Sequence, residues 1–502
     1  MSQSMTQAEH IAVPARRVWS VLRTPLSWPW LGDGTTRVEF LGRERRQSRY
    51  RMSRDGDTCE FSMFTHDRGA MLSLAEQPGP ALSWEVAEQD GPCVLTWELE
   101  QPLPEPLAAH WRQLPSFADA LQAWSRVVDS ACGHSDPVRA VRALAPLIRR
   151  SARGSERASS LDPGVVAALR ECGLFRIGVP RSLGGLDLPA VTIVEIIEQL
   201  SQADAAAGWC TLIGNQSAYA AWLPASSLQD LVGKDDGFVL AGSTAVSGTA
   251  EPTGNGTYRV NGRWRFNSGC LHADWLMGGV TVPDESGNPQ PMLAFVPWTE
   301  ATILNTWDVA GLAGTGSHDL LLTDVDVPVH RIAPLFSGSS NFTDPLHRLS
   351  PYNIQGVLMA GHPLGVARGA LDELGTLASS GDAAVSAQEL GVDLARLETE
   401  LAAARSLVTS TVDGYWRELN AGDRLTTRSE ARLALVLRHV VDTAKSIVGR
   451  AARLAGTAAT EPANSVLQRC LRDIYGTGQH LAFSDDVYER NARRFIGEPA
   501  RA

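Results

Sequence analysis

Residues Tyr258 to Trp275, YRVNGRWRFNSGCLHADW, constrain this chain more than any other stretch. Tyr258, Val260, Gly262, Trp264 and Phe266 alternate with Arg259, Asn261, Arg263 and Arg265, the period-2 pattern of strands with one buried face. Asn261-Gly262 is a two-residue turn signal, so the alternation predicts a hairpin reversing there. The chemistry then changes to Asn267-Ser268-Gly269 and His272-Ala273-Asp274-Trp275. A hydroxyl beside a glycine at a strand end lets backbone and side chain approach a flat ligand closely. A hairpin with a plain polar turn has the same spacing, and the residues alone leave both readings open.

Around this stretch the chain changes character several times. Residues 8 to about 131 open with a short strand, then Pro14 at a helix start and Val18, Trp19, Val21 and Leu22 at helical spacing. Strands are expected near 36–41, 48–53, 58–66, 70–77, 82–88 and 92–100, with a closing helix at 115–132 carrying Phe117, Leu121, Trp124 and Val128. His66 and His110 have no legible titrating partner and read as non-catalytic. Cys132 to Pro137 is the expected linker. Beyond it helices are expected at 137–153, 162–173, 190–203, 204–222 and 226–233, with Asp162-Pro163 as a cap followed by an N1 proline. A β region spans about 237–333, and four long helical segments follow near 351–380, 385–420, 425–458 and 463–494.

A chain of 502 residues is long enough for roughly two to four domains. Its net charge of −11 argues against nucleic acid or an anionic membrane as partner. No apolar run approaches the ~20 residues of a membrane span, and MSQSMTQAEH lacks the pattern of a signal peptide. The seven cysteines are scattered without paired spacing or metal-ligand spacing, which predicts reduced thiols, no metal and a cytoplasmic protein.

Two resemblances give these patterns a direction. The opening I-x-x-P-x-x-x-V-W, with the order of strand, short helices, meander and long closing helix, resembles the START-like (SRPBCC) helix-grip fold. Such domains wrap a curved sheet and a long helix around an apolar cavity, and some are polyketide cyclases. The central stretch resembles the flavin-contacting strand of the acyl-CoA dehydrogenase superfamily. More narrowly, W-x-F-x-S-G-x-x-H-A-D-W resembles the reduced-flavin-dependent monooxygenases on that fold. The fold class implied is multidomain α+β: a helix-grip domain at 1–133, a helical domain at 134–236, a middle β domain at 237–335 and a helical bundle at 336–502.

The resemblance also implies roles. Ser268 would lie beside the flavin ring near N5. Arg472-Asp473 followed by His480 resembles the monooxygenase R-D…H motif, in which the histidine acts as acid/base or hydrogen-bond donor over the flavin, a task suited to its pKa. Ala241-Gly242-Ser243-Thr244 and Ser247-Gly248 resemble the loop along the flavin. Ser243, Ser247, Trp264, Phe266, Asn267, Ser268 and Gly269 are thus the expected cofactor-binding residues, with Ser268 and His480 catalytic. Trp307 to Ser317 resembles the family's W-x-x-x-G-x-x-x-T-G-S turn, so that Ser317 and His318 would shape the pocket. Trp209 and Gln216 lie on a helix where many members carry a substrate-facing histidine; Gln216 stands there instead. Trp209, Gln216, His272 and Ser317 are the expected substrate-pocket residues.

Acyl-CoA desaturation needs a carboxylate base, because the flavin accepts only the hydride. The segment Tyr475-Gly476-Thr477 has no Glu where the dehydrogenases carry one, and residues 349–371 contain neither Asp nor Glu. No dinucleotide fingerprint follows a strand; Gly311-x-x-Gly314-x-Gly316 has the wrong spacing. The expected function is therefore hydroxylation of an aromatic or polyketide-like small molecule by reduced FMN or FAD and O2, through a C4a-hydroperoxyflavin. A separate NAD(P)H:flavin reductase would supply the flavin, the substrate would be hydrophobic, and a homodimer or homotetramer would form through the C-terminal bundle. The alternatives are an oxidase or dehydrogenase on the same fold, and a ligand-binding protein with a vestigial flavin domain.

Overall fold

The computed structural model describes residues 5–28, 36–66, 69–74, 81–88, 93–99, 101–111, 114–224, 227–228, 231, 239–335, 340–380, 387–422, 425–460 and 466–496. Its first part runs β1 (Met5–Ile11), α1 (Ala15–Leu22), β2 (Arg37–Glu44), β3 (Gln47–Arg54), β4 (Asp57–His66), β5 (Gly69–Leu74), β6 (Leu82–Glu88), β7 (Cys93–Leu99), α2 (Glu105–Trp111) and α3 (Leu114–Cys132). The strands pair antiparallel in the order β1-β7-β6-β5-β4-β3-β2. Asp55-Gly56, both at positive φ, makes the tight turn between β3 and β4. Alternation along β2, β3 and β4 turns Val38, Phe40, Tyr50, Met52, Phe61 and Met63 inward. Trp28 stacks on Phe61 at 5.7 Å and on His110 at 5.0 Å, with Trp84 and Trp111 edge-on. His110 is thus a core residue; the side chain of His66 lies outside the described residues.

The second part begins after four residues. Asp136 accepts a hydrogen bond from Val138 N at 3.0 Å and caps α4 (Pro137–Ala158) with Pro137 at its start. Then come α5 (Pro163–Glu171), α6 (Ala190–Ala203) and α7 (Ala205–Gly214). The helix expected over 204–222 is divided, because at Asn215 the chain tightens into a 3-10 segment through Trp222. The helix expected at 226–233 falls largely outside the described residues. The β region comprises β8 (Leu240–Pro252), β9 (Thr257–Trp264), β10 (Trp275–Pro283), β11 (Pro289–Pro297), β12 (Thr302–Leu304), β13 (Asp319–Pro328) and β14 (Ile332–Pro334). Of the helices that follow, α8 (Pro351–Ser380) is buried along most of its length and packs against α6, α10 (Thr427–Ala455) and α11 (Val466–Thr477). Helices α9 (Ala387–Asn420) and α12 (Val487–Ile496) complete the bundle. No helix among the described residues is long and apolar enough to cross a membrane.

Three expectations are corrected. Asn261-Gly262 is not a turn but lies within β9; the reversal comes at Thr253–Gly256. The Asn261 amide instead accepts from Asp324 N at 2.8 Å and donates to Asp324 Oδ1 at 3.2 Å, holding a bulge in β13. Gly262 is required because a Cβ there would come within 2.6 Å of the Trp264 ring and 2.7 Å of the Gly248 backbone. The segment 241–248, expected as a loop, is part of β8, with register shifts where it pairs parallel to β10. And the cysteines are not all reduced: Cys132, at the end of α3, is disulfide-bonded to Cys172, just past α5. Sequence spacing could not show this, since the two sulfurs meet only when α3 and α5 pack.

The two parts are joined beyond their linker. β12 pairs with β2 on one side and β13 on the other, so among the described residues a single sheet of 14 strands runs through both. Arg17 of α1 donates from Nε to both Glu171 oxygens, at 2.8 and 2.9 Å, and from Nη1 to Ser125 at 2.7 Å. Trp124 of α3 donates its indole N–H to Gly164 O at 3.0 Å.

Candidate active site

Asp204 caps α7 by accepting from Ala207 N at 3.1 Å, and the helix it starts carries Trp209 into the interior. The Trp209 indole N–H donates to Ser268 Oγ at 3.0 Å. Ser268 sits in the turn leaving β9, where Phe266 adopts φ 64° and remains 59% exposed. That turn is clamped from below. Asn267, fully buried, donates to Trp264 O at 2.7 Å and His318 O at 3.0 Å, and Gly269 N donates to Thr315 O at 2.9 Å.

Hydroxyl directions follow from counting protons, since each hydroxyl has one. Thr315 donates to Leu312 O at 2.7 Å. Its 2.7 Å contact with Ser317 is therefore donated by Ser317. The 2.7 Å contact between Ser317 and Ser268 is then donated by Ser268. Ser268 thus gives its proton away, receives one from Trp209, and keeps one lone pair in a position only 7% exposed.

The turn carrying Thr315 and Ser317 is held by α11. Asp473 accepts from Leu312 N at 2.6 Å, and Arg472 donates to Ala310 O at 2.7 Å. Gly311 lies so close beneath α11 that a Cβ would fall 2.1 Å from Arg472 O. Arg472-Asp473 therefore positions the pocket turn. Burial, reinforced by Asp204, pushes the Asp473 carboxyl up to about 7.

His480 is not on a helix. It caps a 3-10 turn at Leu481–Phe483, its Nδ1 accepting from Ala482 N at 3.2 Å. The neutral ring must then carry its proton on Nε2. Burial pushes its pKa down to about 4, so the neutral form prevails near neutrality. Its ring meets the Trp209 indole edge-on at 5.4 Å. His362 of α8 also meets this indole edge-on, at 5.1 Å. Thr477 donates to Asp473 O at 2.9 Å, so His362 Nε2 donates to Thr477, also at 2.9 Å, and His362 Nδ1 accepts from Ser201 at 2.9 Å. His362 is fully buried, and burial pushes it down to about 3. The sequence signal that marks His362 is a lone histidine in an apolar helix.

The remaining candidates divide. Ser243 and Ser247 lie on the bulged part of β8, beside the exposed Val246. Trp264 is 1% exposed and donates to Gly279 O at 2.9 Å, so it underlies the sheet and does not reach its surface. Gln216 donates to Gln355 of α8 at 3.3 Å, and Gln216 Oε1 and Gln355 Nε2 stay buried without a partner. His318 is a brace: its Nδ1 accepts from Thr306 N and Trp307 N, both at 3.2 Å. His272 is not gathered with Trp209 and Ser268 but lines a cavity against the N-terminal sheet. Among the described residues no three His, Cys, Asp or Glu side chains cluster as a metal would need.

A lone acceptor at Ser268, the exposed Phe266 ring beside Trp307 at 6.2 Å, and buried amide atoms without partners fit a flat heterocycle with a protonated edge nitrogen. The chain also resembles known proteins. Residues 139–225 match the family model of the acyl-CoA dehydrogenase N-terminal domain, and 357–485 that of the C-terminal domain. An indole-3-acetate monooxygenase from Pseudomonas putida is 31% identical over 385 residues, 74% of this chain and 98% of the relative. The oxygenase component of an FADH(2)-dependent resorcinol hydroxylase from Rhizobium sp. (strain MTP-10005) is 31% identical, over 70% of this chain and 92% of its own. The crystal structure of a 3-HSA hydroxylase from Rhodococcus sp. RHA1 superposes with a TM-score of 0.67 at 25% identity, covering 73% of this chain and 98% of that one.

Proposed function

Because this chain belongs to the reduced-flavin-dependent monooxygenases built on the acyl-CoA dehydrogenase fold, we propose that it hydroxylates a small aromatic substrate at the Trp209–Ser268–His480 cluster. Bound reduced flavin supplies the activation of O2, one oxygen atom entering the product and the other leaving as water. The single observation that carries the site assignment is the hydrogen-bond direction at Ser268. Reduced flavin bears a proton on N5 where oxidised flavin has a lone pair. An acceptor held by Trp209 and Ser317 suits the first and repels the second. His480, neutral with its proton on Nε2, serves as a hydrogen-bond donor toward substrate or cofactor oxygen, and as the group through which a proton is exchanged.

The substrate reading draws on the relatives, which act on indole-3-acetate and resorcinol. The buried Gln216–Gln355 pair offers one acceptor and one donor to a polar substituent of such a ring. A separate NAD(P)H:flavin reductase follows from the relative being an oxygenase component. We read residues 1–133 as a helix-grip domain on the strand order β1-β7-β6-β5-β4-β3-β2 and the long helix α3, and the C-terminal bundle as the surface through which copies associate.

Anaerobic titration tests the assignment. Reduced FMN or FAD should bind at least about tenfold more tightly than the oxidised form, one hydrogen bond made against one lone-pair clash being worth roughly 1–3 kcal/mol. Ser268→Ala should erase most of that preference. Equal affinity for both redox states, or tightly bound yellow flavin reduced by NADH with no second protein, would refute it.

A further inference from the structure

Between the N-terminal sheet and the helices and loops that follow lies a cavity of about 360 Å3, which the proposed reaction does not use. Arg23 and Arg43 reach it from the N-terminal part, and Leu271, His272 and Trp298 from the other. Arg43 is 7% exposed, lies over the Trp298 ring at 4.9 Å and donates from Nη2 to Cys270 O at 3.2 Å, while its Nε is buried without a partner. Among the described residues no carboxylate lies within ion-pair distance of Arg43 or Arg23, and Arg23 donates only from its backbone N–H, to Trp19 O at 3.0 Å, its guanidinium making no hydrogen bond. The carboxylate in the wall, Asp274, is already committed, accepting from Arg170 at 2.6 Å and from Val239 N at 2.9 Å. Burial accordingly holds the Arg43 guanidinium below its ordinary pKa.

A guanidinium enclosed without a counter-charge is costly unless an anion completes it, and its planar fork matches a carboxylate. The rest of the wall is mixed, with Arg46, Ser48, Thr65 and Ser160 as polar members. Phe40 and Leu271 give it apolar sides, and Tyr50 stands beside them. We propose that this cavity binds a small amphipathic carboxylate, an aryl or short alkyl acid. Its carboxylate is held by Arg23 and Arg43, and its body lies against Phe40 and Leu271. Because the lining comes from both parts of the chain, such a ligand is enclosed only by the joined protein.

Calorimetric titration of the full chain, without flavin, with 2-naphthoate, its neutral carboxamide and inorganic phosphate decides the matter. One equivalent of naphthoate should bind, with the carboxamide and phosphate each at least about tenfold weaker. Arg43→Gln should weaken naphthoate by about tenfold or more, and Arg43→Lys by less. Arg23 is only half-buried, so Arg23→Gln gives the same test should Arg43→Gln fail to fold. Equal binding of acid and amide, naphthoate affinity unchanged in Arg23→Gln, phosphate binding as tightly as naphthoate, or displacement of naphthoate by reduced flavin would each overturn the proposal. The last outcome would place the acid at the flavin cluster instead.

Discussion

A hydroxyl whose proton is committed is a different ligand from a free one, and the proton of Ser268 is committed to Ser317, which gives its own to Thr315. Ser268→Ala removes the acceptor and should cost about 1–3 kcal/mol, roughly ten- to a hundredfold in coupled turnover. The fraction of O2 returned as hydrogen peroxide should rise, as read by product and peroxide yields together. His480→Ala should leave reduced-flavin affinity near that of the parent and slow product formation by about 10²-fold. Equal, small effects from both substitutions would mean that these side chains only fill space. Asp473 ties stability to pH with a definite sign. Its folded pKa of about 7 lies above that of an unfolded aspartate, so its stability contribution is intact below about pH 4 and is lost as pH rises through 7. Asparagine does not ionise and keeps an acceptor for Leu312 N. Asp473→Asn should therefore gain on the parent between pH 4 and 8 by up to about 4 kcal/mol, since each pH unit between the unfolded and folded pKa contributes ~1.4 kcal/mol. Denaturant titrations at both ends check this; a pH-independent difference would contradict it.

At the scale of elements, the site depends on how α11 meets the 310–317 turn. Gly311→Ala would place a methyl 2.1 Å from Arg472 O, a backbone atom that cannot step aside without moving the helix. The expected loss is about 1–3 kcal/mol of stability, together with weakened reduced-flavin binding, because the displaced turn carries Thr315 and Ser317. Thermal melts and flavin titration of the same variant measure both, and unchanged values would show that the turn tolerates the shift. Most elements were legible because their patterns are local. Gly, Asp and Pro set apart the strand segments of the first sheet, and Asp162-Pro163 marks a helix start where the Asp162 side chain accepts backbone N–H groups. Asn261-Gly262 misled because its local turn preference is overruled by packing: Gly262 is small for the Trp264 ring, and Asn261 serves a bulge in a strand 63 residues away.

Across the whole molecule, the N-terminal part is tied to the rest by a disulfide, an arginine–glutamate pair and a shared sheet edge. Cutting the chain within residues 133–136 should therefore leave two pieces that co-elute in native size-exclusion chromatography and separate only after reduction and denaturation. In unreduced, denatured protein an alkylating reagent should label Cys59, Cys93, Cys210, Cys270 and Cys470 and spare Cys132 and Cys172. Cys172→Ser should cost about 2–4 kcal/mol, since the bridge closes a loop across a separation of 40 residues. Labelling of all the cysteines, or pieces that part on dilution, would show that the two parts are held by the linker alone.

What the sequence determined by itself was what short-range chemistry can encode. The succession of strands, helices, β region and bundle follows from hydrophobic period and capping residues. The lack of a carboxylate at Tyr475-Gly476-Thr477 and in 349–371 is read from residue types, whereas the candidacy of Ser268 and His480 is what the resemblance to the monooxygenase motifs implies. Tertiary structure decided the rest. The tautomer of His362, the direction of the Ser268 hydroxyl and the raised pKa of Asp473 each depend on distant segments: Ser201 and Thr477 for the first, Ser317 and Trp209 for the second, and burial beside Asp204 for the third. So do the Cys132–Cys172 bond and the cavity that encloses Arg43. A hydrogen bond has a direction only once both of its ends are in place, and a charge is buried only once its neighbours have packed around it.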